Sequence, residues 1–341
     1  MAMRSFEDKP AVREATPLLL GLVGPSGTGK TYSALRLATG IQRVDPGEIF
    51  LIDTESRRSL HYAENFKFRH VAFGAPFSPL DYLAAIEHCV AKGAKTIIVD
   101  SMSHEHEGPG GVLEMHAAET ERLAKIWKCR EEVAQMSAWG KPKGERRRMI
   151  NTILQIPVNF IFCFRAKEKL KIERGKEPVN KGFEALAGQE FIYELLLKFL
   201  LLPGAKGTPT WQSEMLAEKL LIKIPGQFEQ LFADTKQLSE DIGAELARWA
   251  QGAAASAPVA AAELIKRYES CSDPATYRAV GADVKASWSA LSADDRKTLK
   301  SLADATMARI KKAAESPTHD PATGEVSPTN EPGVGPNGEP T

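Results

Sequence analysis

The apolar positions fall in short runs separated by amphipathic stretches. Residues 18–23 form a continuous apolar run, which predicts a strand, and a Gly-rich turn leads from it into a helix over about residues 30–40. A second strand is predicted at 49–53. Ser78-Pro79-Leu80-Asp81 reads as a helix start, with Ser78 as cap, Pro79 in the first turn and Asp81 at the capping-box position; Gly93 stops that helix. Residues 96–100 form a short β-branched run, the mark of a strand buried on both faces. A long helical stretch is expected over 112–136, then a basic loop, a strand at 158–164, and strand-like sequence at 191–202 and 220–224. This alternation predicts an α/β fold with a mostly parallel central sheet.

The pattern changes further on. Residues 1–16 read as a charged lead-in, 17–231 as the main domain and 232–258 as an Ala-rich linker or helix. A small helical domain is expected at 259–315, with Leu264, Tyr268, Tyr277, Val280, Val284, Trp288, Leu299, Leu302 and Ile310 as its core. Residues 316–341, rich in Pro and Gly and without Lys or Arg, read as a disordered tail. No internal repeat is visible.

Composition narrows the function classes. The 341 residues carry 44 Lys+Arg against 44 Asp+Glu, so no bulk basic excess marks a coat for nucleic acid, while local patches remain open. The longest apolar runs carry charges and fall short of the about 20 residues of a bilayer helix. The start, MAMRSFEDKP, has no apolar h-region, and Cys89, Cys129, Cys163 and Cys271 follow neither zinc nor disulfide spacing. The expectation is a protein of the reducing cytoplasm.

The chemistry is concentrated in Gly24-Pro25-Ser26-Gly27-Thr28-Gly29-Lys30-Thr31, which matches G-x-x-x-x-G-K-[ST] between a strand and a helix. Glycines let the backbone curl its N–H groups inward, the helix N-terminus adds a positive field, Lys30 reaches outer phosphates and the Thr31 hydroxyl ligates Mg²⁺. ATP with Mg²⁺ is the expected ligand. Asp100, seventy residues after Lys30 at the end of an apolar strand, reads as the acid that holds Mg²⁺ through water. Hydrolysis also needs a base to orient water. Glu55, just past the second strand, is favoured; Glu105 and Glu107 compete from Ser103-His104-Glu105-His106-Glu107. His104 and His106 have no identifiable third ligand for a metal.

Together, GPSGTGKT at 24–31, LIDTES at 51–56 and TIIVDSMSHE at 96–105 resemble the RecA-like branch of P-loop ATPases, most closely bacteriophage AAA-type ATPases related to short RecA-like single-strand annealing proteins. The likeness covers about residues 17–231. It implies that Glu55, two residues past the Asp of the second strand, is the catalytic glutamate. It also implies that the strand after Asp100 ends in a γ-phosphate sensor followed by a DNA-contacting loop. Arg165 stands at the sensor position, where the usual RecA-like residue is Gln. The same likeness implies rings or filaments of identical subunits, phage replication or recombination partners, and the cytoplasm of a bacterial host.

Two basic segments offer a surface for a phosphate backbone. Lys141, Lys143, Arg146, Arg147 and Arg148 lie within eight residues, beside Trp139, which could stack on a base. Arg165, Lys167, Lys169, Lys171, Arg174 and Lys176 follow the strand at 158–164, interleaved with acids. The favoured function is ATP hydrolysis coupled to single-stranded DNA. The alternative is an ATPase that loads or remodels a protein partner, such as a helicase loader.

Overall fold

The apolar runs form strands because each is buried on both faces. The computed structural model describes residues 8, 11, 13–171, 177–233, 236–252, 261–288 and 291–315. Strands β1 (Leu19–Gly24), β2 (Glu48–Asp53), β3 (Arg69–Ala72), β4 (Ala94–Asp100), β5 (Asn159–Lys171) and β7 (Leu197–Leu200) stand in the order β3-β2-β4-β5-β1-β7. Every neighbouring pair in that row is parallel. β6 (Val179–Ala185) pairs antiparallel with the distal half of β5, which runs on past the sheet as a two-stranded ribbon.

Alternation along the strands builds two apolar layers. Phe160, Phe162 and Phe164 of β5 join Phe50, Ile52, Ile97 and Val99 on one face, covered by α2 (Pro79–Ala91), α6 (Gly140–Ile153) and α7 (Gln189–Glu194). Ile161 and Cys163 join Leu20, Leu22, Leu51 and Ile98 on the other, covered by α1 (Lys30–Val44) and α9 (Glu240–Ala250). The α2 start forms as its sequence dictates: Ser78 Oγ accepts from the Asp81 N–H at 3.2 Å. Between β4 and α6 lie α3 (His104–Glu107), α4 (Val112–Trp127) and α5 (Glu131–Ala138), and α8 (Leu216–Lys219) follows β7.

Several expectations are corrected. The single helix over 112–136 is two, broken where Lys128 takes a left-handed conformation at φ 52°. The basic loop is helix α6, since Pro142 falls in its first turn, where the missing N–H costs nothing. The apolar run at 191–202 is not one strand: its first part is the end of α7 and only Leu197–Leu200 pairs in the sheet. At 220–224 there is a single bridge, Lys198 to Lys223. β3 and β6 carry no strong apolar alternation, so the hydrophobic pattern does not predict them.

The segment read as a linker contains α9, which packs tightly on α1, so this unit extends to Ala255 rather than ending near 231. A Cβ on Gly243 would lie 2.2 Å from the Leu37 carbonyl oxygen, and one on Gly40 would lie 1.9 Å from that of Glu240. Arg36 locks the same contact, donating from Nε and Nη2 to the Glu240 carboxylate at 2.7–3.0 Å and from Nη1 to the Leu238 carbonyl.

The second unit begins at Ser256. It comprises α10 (Ala261–Ser270), α11 (Pro274–Ser287) and α12 (Ala293–Glu315) around Leu264, Tyr268, Val280, Leu299 and Ile310. Asp273 caps α11 through the Ala275 and Thr276 N–H groups. Arg309 satisfies the carbonyls of Tyr268, Glu269 and Cys271 at the end of α10. Trp288, expected in this core, is exposed, with Arg296 over its ring. The expected lead-in, apart from residues 8, 11 and 13–16, residues 234, 235 and 253–258 of the Ala-rich segment, and the tail lie outside the described residues.

Gly243→Ala should destabilise the first unit by about 1–3 kcal/mol, because the obstructing atom is backbone. Gly144→Ala, in α6 with nothing within 4 Å of the new Cβ, should stabilise by up to about 1 kcal/mol. Thermal melting of the two variants beside wild type reads the contrast; equal melting points would refute the tight α1–α9 contact.

Candidate functional site

Parallel pairing aligns the strand ends along one edge. The register sets Gly24 beside Arg165, Asp100 beside Cys163, and Asp53 beside Asp100. The loop from Gly24 to Thr31 leaves β1 at this edge and enters α1.

Three glycines have specific steric reasons. Gly29, the residue before α1, has φ 96°, and a Cβ there would sit 2.8 Å from the Gly207 nitrogen. Gly27 has φ 79°. Gly24 packs against the Leu201 carbonyl, 2.2 Å from where a Cβ would be. The loop after β7 is tied on by the Gly207 N–H, which donates to the Thr28 carbonyl at 2.9 Å. No side chain caps α1, which leaves its first N–H groups available to an anion at the loop.

Lys30 is buried. Its Nζ donates to the Gly24 and Pro25 carbonyls at 2.8 and 2.7 Å, which leaves one of its three N–H donors for a phosphate oxygen. Burial holds its pKa below the usual lysine value, against the opposing pull of Cys163, Asp100 and Glu55. Thr31 Oγ1 donates to Asp100 Oδ2 at 2.5 Å. Burial pushes the Asp100 carboxyl up to about 6, with Glu55 adding to the shift and the Thr31 hydroxyl opposing it. A hydroxyl and a carboxylate at a phosphate loop fit Mg²⁺, which takes few protein oxygens and completes its shell with water and substrate phosphates. Among the described residues no group of three or more His, Cys, Asp or Glu gathers as a metal cage.

Glu55 is placed by the turn after β2. Its N–H donates to Asp53 Oδ1 at 2.7 Å, and Asp53 Oδ2 accepts from the Ser59 N–H and hydroxyl. Burial would raise the Asp53 pKa, but the hydrogen bonds from Ser59, Glu55 and His70 outweigh it and hold the carboxyl below its ordinary value. Arg165 Nε donates to Glu55 Oε1 at 2.8 Å, and Arg58 lies 3.5 Å from Oε2. The Arg165 backbone N–H is fixed by Ser103 Oγ at 2.8 Å.

These groups line one cavity of about 710 Å³, with Ser26, Gly27, Gly29, Lys30, Thr31, Glu55, Asp100 and Arg165 on its wall. Gly24, Pro25 and Thr28 frame the loop from behind; Thr28 Oγ1 donates to the Pro25 carbonyl. Sequence reasoning missed Arg58, His61 and Tyr62, which line the same cavity from a 3-10 turn with no periodicity to announce it, and Ala166 and Leu186.

The competing acids lie elsewhere. Glu105 is buried and accepts two hydrogen bonds from Arg146, at 2.9 and 2.8 Å, in an ion pair whose side chains are 4% and 5% exposed. Glu107 does not line this cavity. The two histidines are spoken for: His104 Nδ1 lies 2.7 Å from Thr54 Oγ1, and His106 Nδ1 lies 3.0 Å from Arg146. Arg146 therefore ties α6 to α3, and to α7 through Glu190, instead of presenting its charge to solvent. Trp139 stacks on His116, with ring centroids 4.0 Å apart.

The family model for the AAA domain matches residues 16–196, more than half of the chain, and the protein belongs to that family. No curated protein matches it. Membership makes nucleotide binding and hydrolysis of the AAA type its activity class. Among the described residues, no helix is long and apolar enough to cross a membrane.

Lys30→Ala should abolish stabilisation by MgATP while the protein still folds, since the residue sits in the loop rather than in either apolar layer. Calorimetric titration beside thermal melting checks this, and unchanged ATP affinity would refute the assignment.

Asp100 gives a pH prediction. Its raised folded pKa means the fold favours the protonated acid, so this contribution to stability is complete below about pH 4 and is lost as the pH rises through about 6. Without nucleotide, Asp100→Asn should melt above wild type at about pH 8, and the gap should close on acidification toward about pH 4. The same variant should lose the Mg²⁺-dependent part of ATP binding. A gap independent of pH would contradict the burial argument.

Proposed function

We propose that the protein is a RecA-like ATPase that couples Mg²⁺-dependent ATP hydrolysis to single-stranded DNA in a phage-type recombination, annealing or replication process. The observation that carries this reading is the course of β5. One strand holds Arg165 at the nucleotide cavity and then carries Lys167, Lys169 and Lys171 along the ribbon, whose pairing shifts register between Glu168 and Leu170. A strand cannot shift at one end without moving the other, so phosphate contacts at its two ends are mechanically linked. Arg174 and Lys176, the rest of that basic segment, lie outside the described residues.

The RecA-like assignment is supported by where the carboxylates fall. Ser101, not an acid, follows Asp100, and the second carboxylate on the cavity wall is Glu55, beyond β2 and paired with Arg165. In this reading the loop N–H groups and Lys30 bind the phosphates, Thr31 and Asp100 hold the metal, and Glu55 accepts the proton of the attacking water. Arg165 senses the terminal phosphate. Bound Mg²⁺ would neutralise charge developing on the transferred phosphoryl group. Tyr62 offers a flat apolar face at the cavity wall for the base. Assembly into a ring or filament of identical subunits is part of the same proposal.

Glu55→Gln should bind ATP as wild type does and lower turnover by about 10²-fold or more, because the amide keeps the shape and loses the basicity. Wild-type turnover in that variant, with loss in Glu105→Gln, would overturn the choice of base. Replacing Lys167, Lys169 and Lys171 together with Ala should weaken oligonucleotide binding equally across sequences and flatten its salt dependence. If wild type binds no oligonucleotide and its ATPase rate ignores DNA, the DNA reading fails and remodelling of a protein partner replaces it.

A further inference from the structure

A second cavity, of about 230 Å³, lies where the β5–β6 ribbon leaves the sheet, bounded by α3, α7 and α8. It shares Leu186 with the cavity at the sheet edge, and no role above uses it. One wall is apolar: Leu113, Ile192 and Leu220, with the ring of Tyr193. The rest of its rim is charged and polar: Lys167, Lys169 and Glu184 on the ribbon, with Glu107, His106 and Gln189 opposite. Tyr193 is 53% exposed and Leu220 43%, so part of the apolar wall stays open to a visitor.

The rim is cationic where it meets the ribbon. Glu184, the register partner of Lys167, lies 2.5 Å from the Lys169 ammonium, which leaves Lys167 without an ion pair among the described residues. His106 has one polar position to offer. Arg146 donates to its Nδ1, so that nitrogen is an acceptor and the ring proton sits on Nε2. Burial, then Arg146 and Lys167, hold the imidazole below its ordinary pKa.

We infer that this cavity seats one unstacked nucleobase of a single strand whose backbone runs along the Lys167–Lys171 stretch of the ribbon. An apolar wall with an aromatic ring suits the face of a base, an imidazole N–H suits a base carbonyl or ring nitrogen, and lysine at the mouth suits the flanking phosphate. A duplex cannot present a base this way without unstacking it, so the site would favour single strands. The inference rests on the DNA reading and adds to it the element that reads a base rather than a backbone.

The test uses the full chain with MgATP, a labelled thymidine oligonucleotide and an abasic backbone of the same length, titrated over a series of salt concentrations. Wild type should prefer the base-bearing strand by about 5- to 100-fold. Tyr193→Ala should erase that preference with an unchanged salt slope, and Tyr193→Phe should keep it. Lys167→Ala should weaken both strands alike and lower the slope by about 1. Thermal melting confirms that each variant folds. Equal affinity of wild type for both strands, with a steep salt slope, would overturn the inference while leaving the DNA reading intact. A base preference that survives Tyr193→Ala would overturn the inference too. Absence of binding to either strand would overturn both.

Discussion

Everything at the sheet edge depends on the parallel pairing of β1, β5, β4 and β2. Parallel strands end together, and here their ends carry Gly24, Arg165, Asp100 and Asp53 in adjacent register positions. A one-residue slip would turn each of these side chains to the opposite face of the sheet. The register is held by burial on both sides: Phe160, Phe162 and Phe164 face one layer, while Ile161 and Cys163 face the other. The packing that buries both faces of the sheet is therefore what sets the distances in the site.

The polar network at that edge is continuous. Ser101 N–H donates to Thr54 Oγ1, Ser103 Oγ holds the Arg165 N–H, and Arg165 reaches the Glu55 carboxylate. The segment after β4 is thereby tied to the ends of both β2 and β5. Beyond it, Glu105 and Arg146 form a buried pair that anchors α6 and α7 to the same segment. Removing one partner of such a pair costs far more than an exposed pair would, because the remaining charge stays buried. Displacement of Arg165 by a phosphate would thus reach the ribbon directly through β5, and α6 and α7 through this network.

Much of the site was legible because its chemistry is local. The loop from Gly24 to Thr31, Asp100 at its strand end and Glu55 just past β2 each follow an apolar run whose burial fixes where the next residue points. What was not legible depends on partners distant in sequence. Arg146 looks like part of a basic patch until Glu105, 41 residues away, is placed against it. Trp139 looks free until His116 stacks on it. The stretch at 191–202 is apolar enough for either helix or strand, and pairing with β1 decides only its second half. α9 sets Ile242, Leu246, Ala247 and Ala250 into the apolar layer it shares with α1, but its close approach through Gly243 and Gly40 to backbone far away in sequence shows only in the folded chain.

The cavity at the ends of β1, β4 and β5 is the proposed seat of a magnesium nucleotide. Hydrogen–deuterium exchange of the full chain, with and without Mg²⁺ and a slowly hydrolysed ATP analogue, tests it most directly. The account predicts strong new protection of the amides from Gly27 to Thr31, with smaller protection at Glu55 and around Arg165. Protection elsewhere, with the 24–31 amides exchanging as before, would contradict it.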